Sequence, residues 1–116
     1  MAYAVARAKH VRIAPRKVRL VADLIRGKKV LEARDVLAFT SKASAPVVLK
    51  LLNAATANAE HAADEEGTRV DPDEMTVVRV VVDEGATMRR YRAAPRGRGV
   101  RIRKRTSHIE LVISDV

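Results

Sequence analysis

Between Gly85 and Ser107 the chain carries nine basic side chains, Arg89, Arg90, Arg92, Arg96, Arg98, Arg101, Arg103, Lys104 and Arg105, and not one acid. Outside that segment fourteen Lys or Arg balance fourteen Asp or Glu, so the formal net charge of +9 resides in this one stretch. Like charges at such density repel one another and gain nothing from a core, so the segment holds together only where a polyanion meets it. Eight of the nine are arginine, whose planar fork of donors matches phosphate oxygens bidentately and stacks on bases. The segment therefore predicts a nucleic-acid partner, against the plainer reading of a solvated, flexible charged tail. Gly85, Gly97, Gly99 and Pro95 suit a turning tip and a close approach of backbone to ligand, although any hairpin tip has the same structural use for them.

A chain of 116 residues is the size of one ordinary domain, and we expect a single domain over 1–116. With 47% hydrophobic residues it is no disordered basic tail, and with only Tyr3, Phe39 and Tyr91 as aromatics its core is aliphatic. The absence of cysteine removes disulfide scaffolds, thiolate zinc sites and cysteine nucleophiles, and fits a reducing, cytoplasmic setting. Met1 to Ile13 alternates small, basic and branched residues, a pattern that predicts neither a secretory signal nor a membrane span. Charge falls into blocks: +8 over residues 1–29, −6 over 30–84, +9 over 85–107 and −2 over the remainder. If the two basic blocks meet in space, one face is cationic and the acidic middle is left to solvent or to basic neighbours.

Hydrophobic periodicity divides the chain. The opening segment alternates, with Tyr3, Val5, Val11 and Ile13 on one parity and alanines on the other, and reads as a strand. From Pro15 the period becomes helical: Val18, Val21 and Ile25, with Leu20 and Leu24, recur at three and four, while Arg16, Lys17, Arg19, Asp23 and Arg26 take the other positions. Pro15 suits the first helical position and Gly27 the left-handed residue beyond the last. A second helix carries Val30, Ala33, Val36 and Leu37, interrupted at Thr40 and Ser41. A third runs from about Ser44, its cap, to His61, with Val48, Leu51, Leu52, Ala55 and Ala59 as its stripe and Pro46 in its first turn. Residues 62–74 read as an exposed, mobile acidic loop. Past it the period is two, with Val78, Val80 and Val82 on one face, Val77, Arg79, Val81 and Asp83 on the other, and later Ile109, Leu111 and Ile113. The fold class is α+β: a three-stranded antiparallel sheet on three helices, with the basic stretch as a long β-hairpin extension over about 84–106. About ten residues per limb at roughly 3.3 Å each project on the order of 30 Å, and so thin a ribbon is ordered only when bound.

Three other readings compete. Lacking a stacking platform, the chain favours shape and backbone recognition of folded RNA over base reading, while the helices flanking Gly27 and Lys28 superficially resemble a DNA-binding helix-turn-helix. Catalysis finds little support: His10, His61 and His108 are scattered, Glu60, His61 and Asp64 are the only cluster with metal-compatible spacing, and neither a phosphate loop nor a nucleophile motif occurs. We therefore expect no enzyme activity, cofactor, metal or small-molecule substrate. A membrane-active hairpin would want the Trp and Phe that this segment lacks.

Four blocks resemble a known family. Arg16-Lys17-Val18-Arg19-Leu20-Val21-Ala22-Asp23-Leu24-Ile25-Arg26-Gly27-Lys28, then Asn58-Ala59-Glu60-His61, Val82-Asp83-Glu84-Gly85 and Lys104-Arg105-Thr106-Ser107-His108-Ile109 stand in the order of the bacterial large-subunit ribosomal protein twenty-two family and extend over nearly the whole chain. The resemblance implies a globular body on the outside of the large subunit, a hairpin running inward through ribosomal RNA to line the nascent-peptide exit tunnel, and a structural role in RNA folding and assembly. The implied partners are large-subunit ribosomal RNA, neighbouring ribosomal proteins and the nascent peptide, in the cytoplasm. The nine arm residues named above are then expected on phosphates and base edges, with Arg12, Arg16, Lys17, Arg19, Lys28 and Lys29 anchoring the body and Met88, Tyr91 and Pro95 facing the tunnel. His108, with Thr106 and Ser107, is expected to make structural hydrogen bonds where the arm enters the sheet. Two departures stand out. Ala14 replaces the family's frequent Ser, removing a side-chain cap worth roughly 1 kcal/mol. At the tip, where the family usually shows Pro-Arg-Ala and, two residues on, Gly-Arg, the chain reads Ala93-Ala94-Pro95-Arg96-Gly97-Arg98, with proline two places later.

Overall fold

The elements run β1 (Tyr3–Val11), α1 (Pro15–Ile25), α2 (Val30–Phe39), α3 (Ala45–Glu66), a 3-10 turn (Pro72–Glu74), β2 (Thr76–Glu84), β3 (Met88–Ala93), β4 (Gly99–Lys104) and β5 (Ser107–Ser114). This computed structural model describes residues 3–85, 88–93 and 99–115, with 88–93 and 99–104 as backbone. β1, β5 and β2 form an antiparallel sheet in the order β1-β5-β2, with the three helices packed on it, so the architecture is the α+β one expected. β3 and β4 pair with each other as a separate two-stranded sheet, from Met88 opposite Lys104 to Ala93 opposite Gly99.

α1 starts without a side-chain cap, as Ala14 requires; its carbonyl accepts from Lys17 and Val18 N–H, and Pro15 occupies the first turn. Val18, Val21, Ala22 and Ile25 are fully buried. Leu20 and Leu24 are not part of that stripe: at about 100° per residue they fall on the opposite side, where they are 52% and 41% exposed among the basic residues. Beyond the helix, Gly27 adopts φ +84°, its N–H donating to Val77 O while Val77 N–H donates to Lys28 O, both at 2.8 Å. A Cβ at Gly27 would meet nothing within 4 Å, so the cost of Gly27→Ala is conformational alone. We expect that substitution to remove about 1 kcal/mol and lower Tm by about 4 °C in thermal unfolding; an unchanged Tm would show the linker free to rearrange.

α3 is longer than periodicity suggested. No residue that breaks a helix occurs until Gly67 (φ +71°), Ala63 is buried, and the end closes with Gly67 N–H on Asp64 O and Thr68 N–H on Ala63 O. The expected loop over 62–74 is thus helical at its start and carries the 3-10 turn, with Pro72 buried, near its end. Ser44 is the N-cap residue, but its hydroxyl donates to Lys17 O (3.4 Å) and so ties α3 to α1.

Two bulges set which side chains reach the core. Along β1 the buried residues are Ala4 and Ala6, while Tyr3 is 66% exposed. Three residues of β1 then span two of β5 between the pairs Ala8–Ile109 and Val11–Ser107, with His10 at φ 59°, and the parity reverses so that Val11 and Ile13 join Ala8 against the core. In β2 an irregularity between Val77 and Arg79 puts Val78 outside the strict alternation. The core face is Val77, Val80 and Val82 rather than Val78, Val80 and Val82, and Val78 is 46% exposed. Small residues on both sides, Ala4 and Ala6 on β1 and Ala55, Ala59 and Ala63 on α3, let α3 lie close to β1, where Asn58 Nδ2 donates to Val5 O (3.0 Å).

Candidate nucleic-acid interface

The basic segment joins the body at the end of the sheet where β2 gives way to β3 and β4 to β5. Glu84 faces Ser107, Gly85 N–H donates to Thr106 O (2.9 Å), and a Cβ on Gly85 would come within 2.5 Å of Thr106 Oγ1 and 3.2 Å of the His108 ring. Glycine is needed at position 85 for this close approach, which explains its place directly after Val82-Asp83-Glu84. Ser107, fully buried, donates its hydroxyl to Ile13 O, and His108 Nδ1 accepts the N–H of His10 (3.1 Å), with the two rings edge to face at a centroid distance of 5.0 Å. His108 therefore has the internal hydrogen-bonding role expected of it, made with a histidine that sequence spacing had left 98 residues away. No signal in the sequence pairs them, because a bulge of this kind is visible only in register.

The two basic blocks meet in part. Arg12, Arg16 and Lys17 follow the β1 bulge and open α1, so they stand exposed at the same end as Arg105, and Lys9 adds a further exposed cation there. From that end α1 runs down the outer edge of β2. Arg19 donates to Val82 O (2.8 and 3.3 Å) and Arg26 to Val80 O (2.7 Å), while Arg26 also pairs with Asp23. These two guanidinium groups, with the 27–28 backbone on Val77, occupy the carbonyls of an edge strand that could otherwise pair with another chain. Arg26 was read only as part of a charged helix face; sealing a strand edge leaves no sequence pattern of its own. Lys28 and Lys29 lie at the far end, where Lys29 bridges Thr76, and their ammonium groups face Glu32 (3.4 Å) and Glu74 (3.3 Å). Such exposed pairs are worth little and do not withhold the lysines from a stronger anion.

In the arm, β3 and β4 bring Arg89 opposite Arg103, Tyr91 opposite Arg101, Arg90 opposite Ile102, and Arg92 opposite Val100. Pro95, Arg96 and Arg98, at the expected tip, lie outside the described residues. The Glu60, His61 and Asp64 grouping does not assemble: His61 Nε2 is 3.2 Å from Glu65 Oε1, and among the described residues no three His, Cys, Asp or Glu come together as metal ligands would. Also among them, no helix is long and apolar enough to cross a membrane.

Comparison with known proteins bears directly on this arrangement. Residues 6–114 match the family described as ribosomal protein L22p/L17e. The large ribosomal subunit protein uL22 of Oceanobacillus iheyensis is 51% identical over 108 residues, covering 93% of this chain and 91% of that protein. Its counterpart in Staphylococcus aureus (strain JH9) is also 51% identical over 108 residues, with 93% and 88% covered.

Proposed function

Because the chain belongs to the ribosomal protein L22p/L17e family, and is thereby a structural protein of the large ribosomal subunit and not an enzyme, we propose that it binds large-subunit ribosomal RNA and extends its hairpin along the nascent-peptide exit tunnel. Its place is the cytoplasm, within the ribosome. The observation that carries the proposal is the register of the arm. Arg89 directly opposite Arg103 is a like-charge pair, unfavourable in an isolated ribbon and without an acid anywhere in the segment to relieve it. Phosphate on either side removes that repulsion. A radius of gyration of 17.5 Å, against about 13 Å for a compact domain of this length, and a longest dimension of 67 Å support a ribbon that reaches away from the body.

In this reading Arg89, Arg90, Arg92, Arg96, Arg98, Arg101, Arg103, Lys104 and Arg105 meet RNA along the arm. Arg12, Arg16 and Lys17 continue the same cationic surface onto the body. Arg19 contributes what its contact with Val82 leaves available, and Lys28 and Lys29 form a second, separate anchor. Met88, Tyr91 and Pro95 face the tunnel and the nascent peptide. Binding of this kind also supports subunit assembly, since one rigid body and one long arm hold distant RNA segments together. The test is a photoreactive side chain at position 91, carried in ribosomes stalled on a labelled nascent chain. Cross-linking to the nascent chain is expected; a cross-link to RNA alone, in particles that contain the protein, would remove Tyr91 from the tunnel wall. The same particles should retain one copy of the protein through a high-salt wash, and its loss at moderate salt would overturn the RNA-binding reading.

A further inference from the structure

α2 shows the rest of the particle a surface unlike the basic one. Leu31, Asp35 and Phe39 recur every four residues along its outer side, with Ala38 between the last two, and all four are exposed, Leu31 by 55% and Phe39 by 90%. The one basic residue of the helix, Arg34, is turned inward, where it donates to Asn53 Oδ1 (3.1 Å), Thr56 Oγ1 (3.1 Å) and Asp73 Oδ1 (2.6 Å) and so clamps α2 to α3 and to the 3-10 turn. What remains outside is apolar and acidic. α3, packed beside it, carries the exposed Lys50 in its second turn and no Lys or Arg from there to Glu66. The exposed leucines of α1 lie in the opposite setting, among Arg16, Lys17 and Arg19.

Charge decides between occupants. Lys28 and Lys29, given above to RNA, stand before the first turn of α2, but along the stripe itself the only charge is that of Asp35, which repels phosphate, and two large apolar side chains left in water in an assembled particle gain by being covered. We infer that the outer stripe of α2 is the docking site for an extended segment of a neighbouring ribosomal protein that carries a Lys or Arg between two apolar side chains. Spacing supports the match. Leu31, Asp35 and Phe39 advance about 6 Å per step along the helix, and same-side residues of an extended chain advance about 6.6 Å, so the partner's pattern is apolar, any, Lys or Arg, any, apolar. The basic residue faces Asp35, and the apolar pair covers Leu31 and Phe39.

The inference rests on the chain's membership of the large subunit, and its test separates the two. Photoreactive residues are placed singly at positions 31 and 39, which stand clear of the core, and assembled large subunits are isolated and irradiated. Incorporation is scored first: absence of the protein from the particles would sink the ribosomal placement and this inference with it. With the protein present, both positions should cross-link to one neighbouring protein, within a segment of the stated pattern. Cross-links to ribosomal RNA, to a second copy of this chain, or to nothing would overturn the docking site. An Asp35→Lys variant supplies the second readout, since a basic partner segment should then be lost several-fold more readily in a salt wash, and equal retention would count against the proposed charge match.

Discussion

Replacing Arg89, Arg90, Arg101 and Arg103 by Gln is expected to flatten the salt dependence of binding to structured ribosomal RNA by about 3 in the slope of log K against log salt. Each phosphate contact contributes about 0.9 on a duplex and about 0.7 on a single strand, so four lost contacts amount to roughly that change. Between 50 and 200 mM salt the unmodified protein would then lose about 10²-fold more affinity than the variant. The four residues are chosen from register: Arg89 and Arg103 oppose each other, while Arg90 and Arg101 pair with Ile102 and Tyr91, so the ribbon's apolar cross-strand partners remain. A matched variant with Lys28 and Lys29 changed to Gln should alter the slope by no more than about half as much, because it removes at most two contacts. An unchanged slope in the arm variant, measured by filter binding over that range, would transfer the main contact from the arm to the body.

Leu111→Ala should cost about 3 kcal/mol of folding stability, while Leu20→Ala should stay within about 0.5 kcal/mol. The two substitutions remove the same atoms. Leu111 lies at the centre of the sheet, paired with Ala6 on one side and Val80 on the other and fully buried, so its loss leaves a cavity that β5, held between two strands, cannot close. Leu20 is 52% exposed and leaves no void. In urea unfolding the first variant should shift the midpoint by more than 1 M and the second by little. Equal shifts would show that the face of α1 turned to the core had been misread.

Much of the fold is legible in the chain alone. Pro15 and Gly27 bracket α1 because each suits a backbone position that few other residues fit, and Val48, Leu51, Leu52, Ala55 and Ala59 mark the inner face of α3 because helical spacing puts them on one stripe. What misled was alternation across a bulge. Val78 looks equivalent to Val80 and Val82, and Val11 to Val5, until one extra residue in each strand shifts the parity. Leu20 and Leu24 misled for a different reason: an apolar side chain outside the stripe is ordinary on a small protein, where surface is plentiful. The candidate site was legible wherever it depended on composition and hidden wherever it depended on geometry. Arg19 and Arg26 look the same in the sequence as Arg16, yet two of the three have their guanidinium groups on the backbone of β2.

Charge distribution and hydrophobic period, both properties of the linear chain, determined the class of fold and set apart an arginine-rich segment whose charge density suits a polyanion, because electrostatic repulsion and the helix and strand repeats act over neighbouring residues. Tertiary structure alone decided that His10 meets His108, that Arg12, Arg16 and Lys17 share the arm's end of the sheet while Lys28 and Lys29 do not, and that α2 turns Leu31 and Phe39 outward. Those outcomes depend on strand register and on which edge each helix covers, and residues far apart in the chain acquire them only when packing sets their distance.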